Sequence, residues 1–186
     1  MEIVKIDFSK LPGLIRDGAK VGGWFTLEVF DKDGNFKWKS EGHNLITNQG
    51  LDFILNVTLF STTKISAWYC VLSETNTTPL ATHTYAAPGY TETAAYAEAT
   101  RPAYTSVASS GQSITNAASK AVFTFNAGKT IYGASLVGGG TAASTKSDTA
   151  GGGTLLCSCL LSPSKAVVST DVGNLTYVVG AVDDGV

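Results

Sequence analysis

Apolar and polar residues alternate most clearly between residues 24 and 39. The run WFTLEVF, residues 24–30, is aromatic and β-branched, and beyond DKDG the pair Phe36 and Trp38 alternates with Lys37 and Lys39. A period of two puts successive side chains on opposite faces, so the pattern predicts two strands, the second with one apolar face. Asp33 and Gly34 are expected to supply the positive-φ positions of a tight hairpin between them. As a calcium loop, D-x-D-G would lack a third ligand and the distal Glu, so the turn reading is preferred.

The period changes in HNLITNQGLDFILNVTLF, residues 43–60. Leu51, Ile54, Leu55 and Leu59 recur at helical spacing, Asn48 is the expected cap, and Asp52 falls in the expected first turn. Val57 and Thr58 limit this helix to about three turns, and its apolar face is expected to pack on a sheet. From Ile65 onward the chain returns to short strand-like runs: ISAWYCVL, PAYTSVA, AVFTFNA, TIYGASLVG, TLLCSCLL, AVVST and NLTYVVGAV. Their spacing, broken by Gly- and Ser-rich turns, predicts a mainly β protein, a jelly-roll-like β-sandwich with one short helix. Residues 1–23, with Pro-Gly and Gly-Gly breaks, read as an extended N-terminal arm ahead of a sandwich domain at 24–186. Two segments fall outside this scheme. Residues 73–100 form a loop long enough to be functional or interface-forming, and residues 138–153, GGGTAASTKSDTAGGG, read as a low-complexity mobile loop.

Composition narrows the function. Charged residues make up only 15% of the chain, against a usual share of about 25%, which suits close-packed β-structure with neutral, partner-covered surfaces. The net charge is −2 and the 13 basic residues are scattered, so there is no footprint for nucleic acid. No run approaches the roughly 18 apolar residues of a membrane span, and the acidic start MEIVKIDFSK is unlike a secretory signal. Cys157 and Cys159 share one face of a strand, and without a second Cys/His pair the three cysteines read as buried or half-buried thiols, not zinc ligands.

Candidate chemistry is sparse. The chain has no G-x-S-x-G, H-E-x-x-H or phosphate-cradling loop, and no motif asks for a cofactor or metal. His43 is expected near the turn before the helix and His83 in the long loop. Glu92 and Glu98 are the nearest pair for glycosidase chemistry. The segment YAEATRPAY gathers Glu98, Arg101 and Tyr104. Pro102 holds Arg101 extended, Glu98 can pair with it across the bend, and Tyr96 or Tyr104 can stack on the guanidinium. These three, with Trp24, Trp38 and Trp68, are the structural or interface candidates.

Several stretches together resemble one family. GWFTLEVFDKDGNFKWKSEGHNLITNQGLDFILN is similar to the opening of small virion proteins encoded beside the major capsid protein of tailed phages. AWYCVL resembles their W-Y-[VI]-x-L strand. GYTETAAYAEATRPAYT resembles their W-T-E-x-x-x-Y-S-E-A-T-R segment, with Tyr90 where Trp is usual, and SITNAASKAVFTFNAGKTIYGASLVG resembles their S-x-x-N-S-A-x-K-A-x-F region. The resemblance spans roughly residues 22–182 and points to the cement or decoration proteins of podophage-type capsids. It implies a non-enzymatic jelly-roll protein, made in the host bacterial cytoplasm and carried on the capsid exterior. Its expected partners are the major capsid protein and itself, as a dimer or trimer, with no direct nucleic-acid or membrane partner. The alternative within the same neighbourhood is a tail- or head-fibre, receptor-binding protein. A hydrolase using Glu92 and Glu98, or a sugar-binding loop, stands further off.

Overall fold

The structure, a computed structural model, describes residues 19–183. Nine strands and one helix follow in the order β1 (Ala19–Phe30), β2 (Phe36–His43), β3 (Leu45–Ile46), α1 (Asn48–Leu59), β4 (Trp68–Ser73), β5 (Ser113–Thr115), β6 (Ala121–Thr124), β7 (Lys129–Gly138), β8 (Thr154–Val167) and β9 (Val172–Asp183). All pairings are antiparallel, in the order β4-β7-β8-β2-β1-β9-β5, with β3 also on β8 and β6 also on β9. The sheet curls on itself. One half is β4-β7-β8 with β3, the other is β2-β1-β9 with β5 and β6, and they meet where Glu41 pairs with Ser162. This is the expected mainly β, jelly-roll-like sandwich.

The core lies between the two halves because each strand turns its apolar positions inward. Phe25, Leu27 and Val29 of β1 are buried while Trp24, Thr26 and Glu28 point away. They meet Leu175 and Tyr177 of β9, Phe123 of β6, Cys157, Cys159 and Leu161 of β8, Leu136 of β7 and Leu72 of β4. Phe25 stacks on Tyr177 at 4.1 Å between ring centroids, a geometry that adds to the burial itself. All three thiols are free and buried. Burial pushes Cys157 up to about 11 and Cys159 to about 12, so neither forms a reactive thiolate near neutral pH.

Several local expectations change. β1 starts at Ala19 and pairs with β9 from Ala19↔Asp183 onward, so residues 19–23, expected in the arm, are strand; the rest of the arm lies outside the described residues. In the DKDG turn only Gly34 takes positive φ, +82°. Asp31 makes the turn instead, its Oδ1 accepting the Asp33 and Asn35 amides at 2.9 and 2.8 Å. PAYTSVA contributes a single bridge, Ala103 to Tyr69, and AVVST is split, its start continuing β8.

The helix shows the largest change. Thr47, not Asn48, is the N-cap, accepting the Gly50 amide at 3.0 Å, and no acid lies in the first turn. Its buried contact is Gly50, where a Cβ would stand 2.3 Å from the Leu156 carbonyl oxygen. Phe53 reaches Trp68 edge-on at 5.5 Å. Of the predicted apolar stripe only Ile54 is half-buried, while Leu51, Leu55 and Leu59 are 42%, 56% and 79% exposed, and the following Phe60 is 76% exposed. The helix meets β8 through Gly50 and through Gln49, whose Oε1 accepts the Leu155 amide at 2.9 Å, and that close approach turns the leucines outward.

Candidate functional site

The outer face of the β4-β7-β8 half carries its own small core of Val71, Val137 and Leu155, covered by Tyr85 and Ala143 from the two long loops. Both long segments pack against this half of the sheet. Residues 73–100 fold back onto the edge of β4, with the Thr93 amide donating to Leu72 and the Glu74 amide to Thr91. The segment 138–153, expected to be mobile, is a turn-built lobe closed by the Thr141 amide on the Gly151 carbonyl at 2.8 Å.

Arg101 binds these pieces together. It is buried, and each of its five N–H donors has an acceptor. Nε donates to Glu92 Oε1 and Oε2 at 2.9 and 3.1 Å. Nη1 donates to the Tyr85 hydroxyl at 3.1 Å and the Ala143 carbonyl at 2.9 Å. Nη2 donates to Glu92 Oε2 at 2.5 Å and the Asp148 carbonyl at 2.9 Å. The Tyr85 hydroxyl passes its proton side to Asp148 Oδ2 at 2.8 Å, and that oxygen also accepts the Gly151 amide. Glu92 Oε2 accepts the Ser147 amide as well. Burial by itself would lower the arginine's pKa, but the Glu92 carboxylate outweighs it and the guanidinium is held more firmly protonated than usual. Burial pushes the Tyr85 phenol up. The Tyr85 hydrogen bond, with backbone amides, holds Asp148 below its ordinary value.

The trio Glu98, Arg101 and Tyr104 is thus not one site. Glu98 does not pair with Arg101; both its oxygens accept the Thr124 amide of β6 at 3.1 Å. Arg101 takes Glu92 instead, and lies 5.7 Å from the centroid of Tyr85, not over Tyr96 or Tyr104. Tyr96 instead receives Lys146 over its ring, 4.0 Å from the centroid. Tyr104 turns to the inner core, its hydroxyl reaching the carbonyls of Ile114 and Tyr177 at 3.3 Å. Residues an odd number apart on an extended segment face opposite sides, so Arg101 and Tyr104, three apart, part company.

The tryptophans also separate. Trp38 is half-buried at the seam, its Nε1 donating to the Ala166 carbonyl at 3.2 Å. Trp68 is half-buried beneath α1, and Trp24 is 45% exposed beside His43 on the other sheet face. His83 sits within the long loop, its Nδ1 accepting the Leu80 amide at 3.4 Å. The sequence reading missed Tyr85, Asp148 and the Ala143 carbonyl. Nothing in GGGTAASTKSDTAGGG marks it as the partner of an arginine some 40 positions earlier.

Beside this network lies a cavity of about 250 Å³, lined among others by Tyr85, Tyr90, Glu92, Arg101, Asp148 and Leu155. Glu98 is not among its lining residues, so the two carboxylates considered for glycosidase work do not face each other across it. Among the described residues no three His, Cys, Asp or Glu side chains gather as a metal site, and no helix is long and apolar enough to cross a membrane.

Comparison with protein-family models, with curated proteins and with solved structures gave no match.

Proposed function

We propose that this chain is a structural virion protein that docks on the outer surface of an assembled tailed-phage capsid and stabilises the shell. The observation that carries the reading is the outward stripe of Leu51, Leu55 and Leu59 on α1, continued by Phe60 at its C-cap. Between residues 48 and 60 the only charged side chain is Asp52. An exposed apolar surface with a single charge, presented on a helix, suits docking to another protein. The sequence resemblance supplies the partner, a major capsid protein, and self-association as a dimer or trimer completes the reading. Saturation of all five Arg101 donors by the protein itself supports a mechanical role for that arginine.

The physical logic is mass action. Packaged DNA is self-repelling, so the shell carries an outward load. A protein that binds only the assembled lattice stabilises it in proportion to its occupancy, and repetition on a lattice adds avidity to a modest single contact. The test is co-sedimentation of purified protein with expanded capsids, alongside heating of particles that lack it. Binding that is lost in Leu55→Glu, and lower heat resistance of the depleted particles, is expected. Failure to bind expanded capsids, with attachment to tails or host cells instead, would favour the fibre or receptor-binding alternative.

A further inference from the structure

We propose that the cavity beside Arg101 binds a single neutral sugar ring. Three observations converge on this chemistry, none of which depends on the capsid reading.

The first is size and wall. At about 250 Å³ the space falls just below the roughly 300 Å³ where sites for drug-sized ligands begin, which leaves room for one ring and not for a chain. Pro88 and Tyr90, both half-buried, give it an apolar wall that a ligand can reach, suited to the C–H-rich face of a pyranose.

The second is hydrogen-bonding capacity. Every N–H of Arg101 already has an acceptor, and the Tyr85 hydroxyl both donates and accepts. Glu92 Oε1 takes only the Arg101 Nε, so a carboxylate lone pair remains open toward a ligand. The network therefore offers acceptors, and a ligand must bring donors such as hydroxyls.

The third is charge. Glu92 and Asp148 line the cavity together with Arg101. Glu92 is already paired with Arg101, so the uncompensated charge at the wall is the Asp148 carboxylate, and an anion entering would meet a repulsion that a partly desolvated site strengthens. A neutral, hydroxyl-bearing ligand avoids it, and the methylammonium control separates such a ligand from a cation.

The rim is shared between loops, with Thr91 from the 73–100 segment and Thr149 from the 138–153 lobe. Both are exposed, so enlarging either blocks the mouth without touching the Arg101 network. The experiment is an amide NMR titration of the full chain with the methyl glycosides of glucose, galactose and mannose, with methylammonium and acetate as charged controls. Saturable shifts at Thr91, Ser147 and Thr149 are expected with at least one glycoside, at a Kd on the order of 1 mM. Binding should weaken by about tenfold or more in Thr149→Trp and in Thr91→Trp, with the amides of β1 and β9 unmoved as the check on folding. No saturable shift with any glycoside would overturn the proposal. So would equal shifts with methylammonium or acetate, or undiminished binding in whichever of the two variants folds.

Discussion

Outside β4, β7 and β8 the sheet is buried beneath α1 and two long loops, whereas outside β1 and β9 none of the described residues covers it. On the open face Trp24, Val122 and Val178 are each more than a third exposed. Around them Glu28 pairs with Lys120 at 2.6 Å and Lys39 with Glu41 at 2.8 Å. On the covered face the positions of the same kind are Val71, Val137, Leu155, Ser135 and Ser158, all buried. Both halves present the same inner surface to the core, so the difference lies wholly in their outward residues. A strand wetted on one side alternates, as WFTLEVF does; a strand covered on both sides reads as an unbroken run of apolar and small residues, as ASLVG and LLCSC do. The covered face then needs something to satisfy the polar groups of the loops it buries, and Arg101 meets that need. Surface pairs such as Glu28–Lys120 are screened and contribute little, while a buried guanidinium with five protein acceptors is costly to disturb.

The sharpest way to break the contrast is to truncate one cation on each face. Arg101→Ala leaves Glu92 buried without its partner and should cost about 3–5 kcal/mol in urea unfolding, while Lys120→Ala should cost about 1 kcal/mol or less. Equal losses would mean that the two faces do not differ as described. Next comes Gly50→Ala. Alanine favours a helix by about 1 kcal/mol over glycine, yet here its Cβ would press on the Leu156 carbonyl. A net destabilisation of about 1–3 kcal/mol is expected from overpacking, and a gain in melting temperature would show that α1 can lift away freely.

Tyr85→Phe removes one hydroxyl from between Arg101 and Asp148 and should cost about 1–2 kcal/mol, measured by the same unfolding curves. Leu55→Ser together with Leu59→Ser should change stability by only about 0.5 kcal/mol per site while weakening the capsid attachment proposed above. A large stability loss would place those leucines in contacts within the protein itself.

The smallest effect is on acidification. Asp148 is held below its ordinary value in the folded protein, so the stability it lends is complete above the unfolded value near about pH 4. That stability is lost as the pH falls through the lower folded value. Asp148→Asn should flatten the acid limb of a melting-temperature scan, and an unchanged limb would assign that limb to other carboxylates.

Much of this was legible before any coordinates. Strand runs, the β1–β2 hairpin and a three-turn helix follow from periodicity, because alternation and helical spacing are local properties of the chain. Arg101 was legible as a structural residue, since the proline behind it fixes an extended backbone. Its partner was not. Glu98 is nearer in sequence, but the backbone between residues 92 and 101 folds so that Glu92 reaches the guanidinium and Glu98 caps the β6 edge.

Local pattern therefore determined the mainly β character of this protein, the positions of most of its strands and the inward half of its core. Only the tertiary structure decided what covers each sheet. Gly50 brings α1 against β8 by its backbone and sends the leucine stripe outward, and a lobe that reads as loose repeats of glycine and threonine supplies the carbonyls that hold Arg101. Periodicity says that a residue has an apolar face beside it. Which element comes to lie on that face depends on contacts between segments far apart in the chain, and those exist only once the sheet has curled.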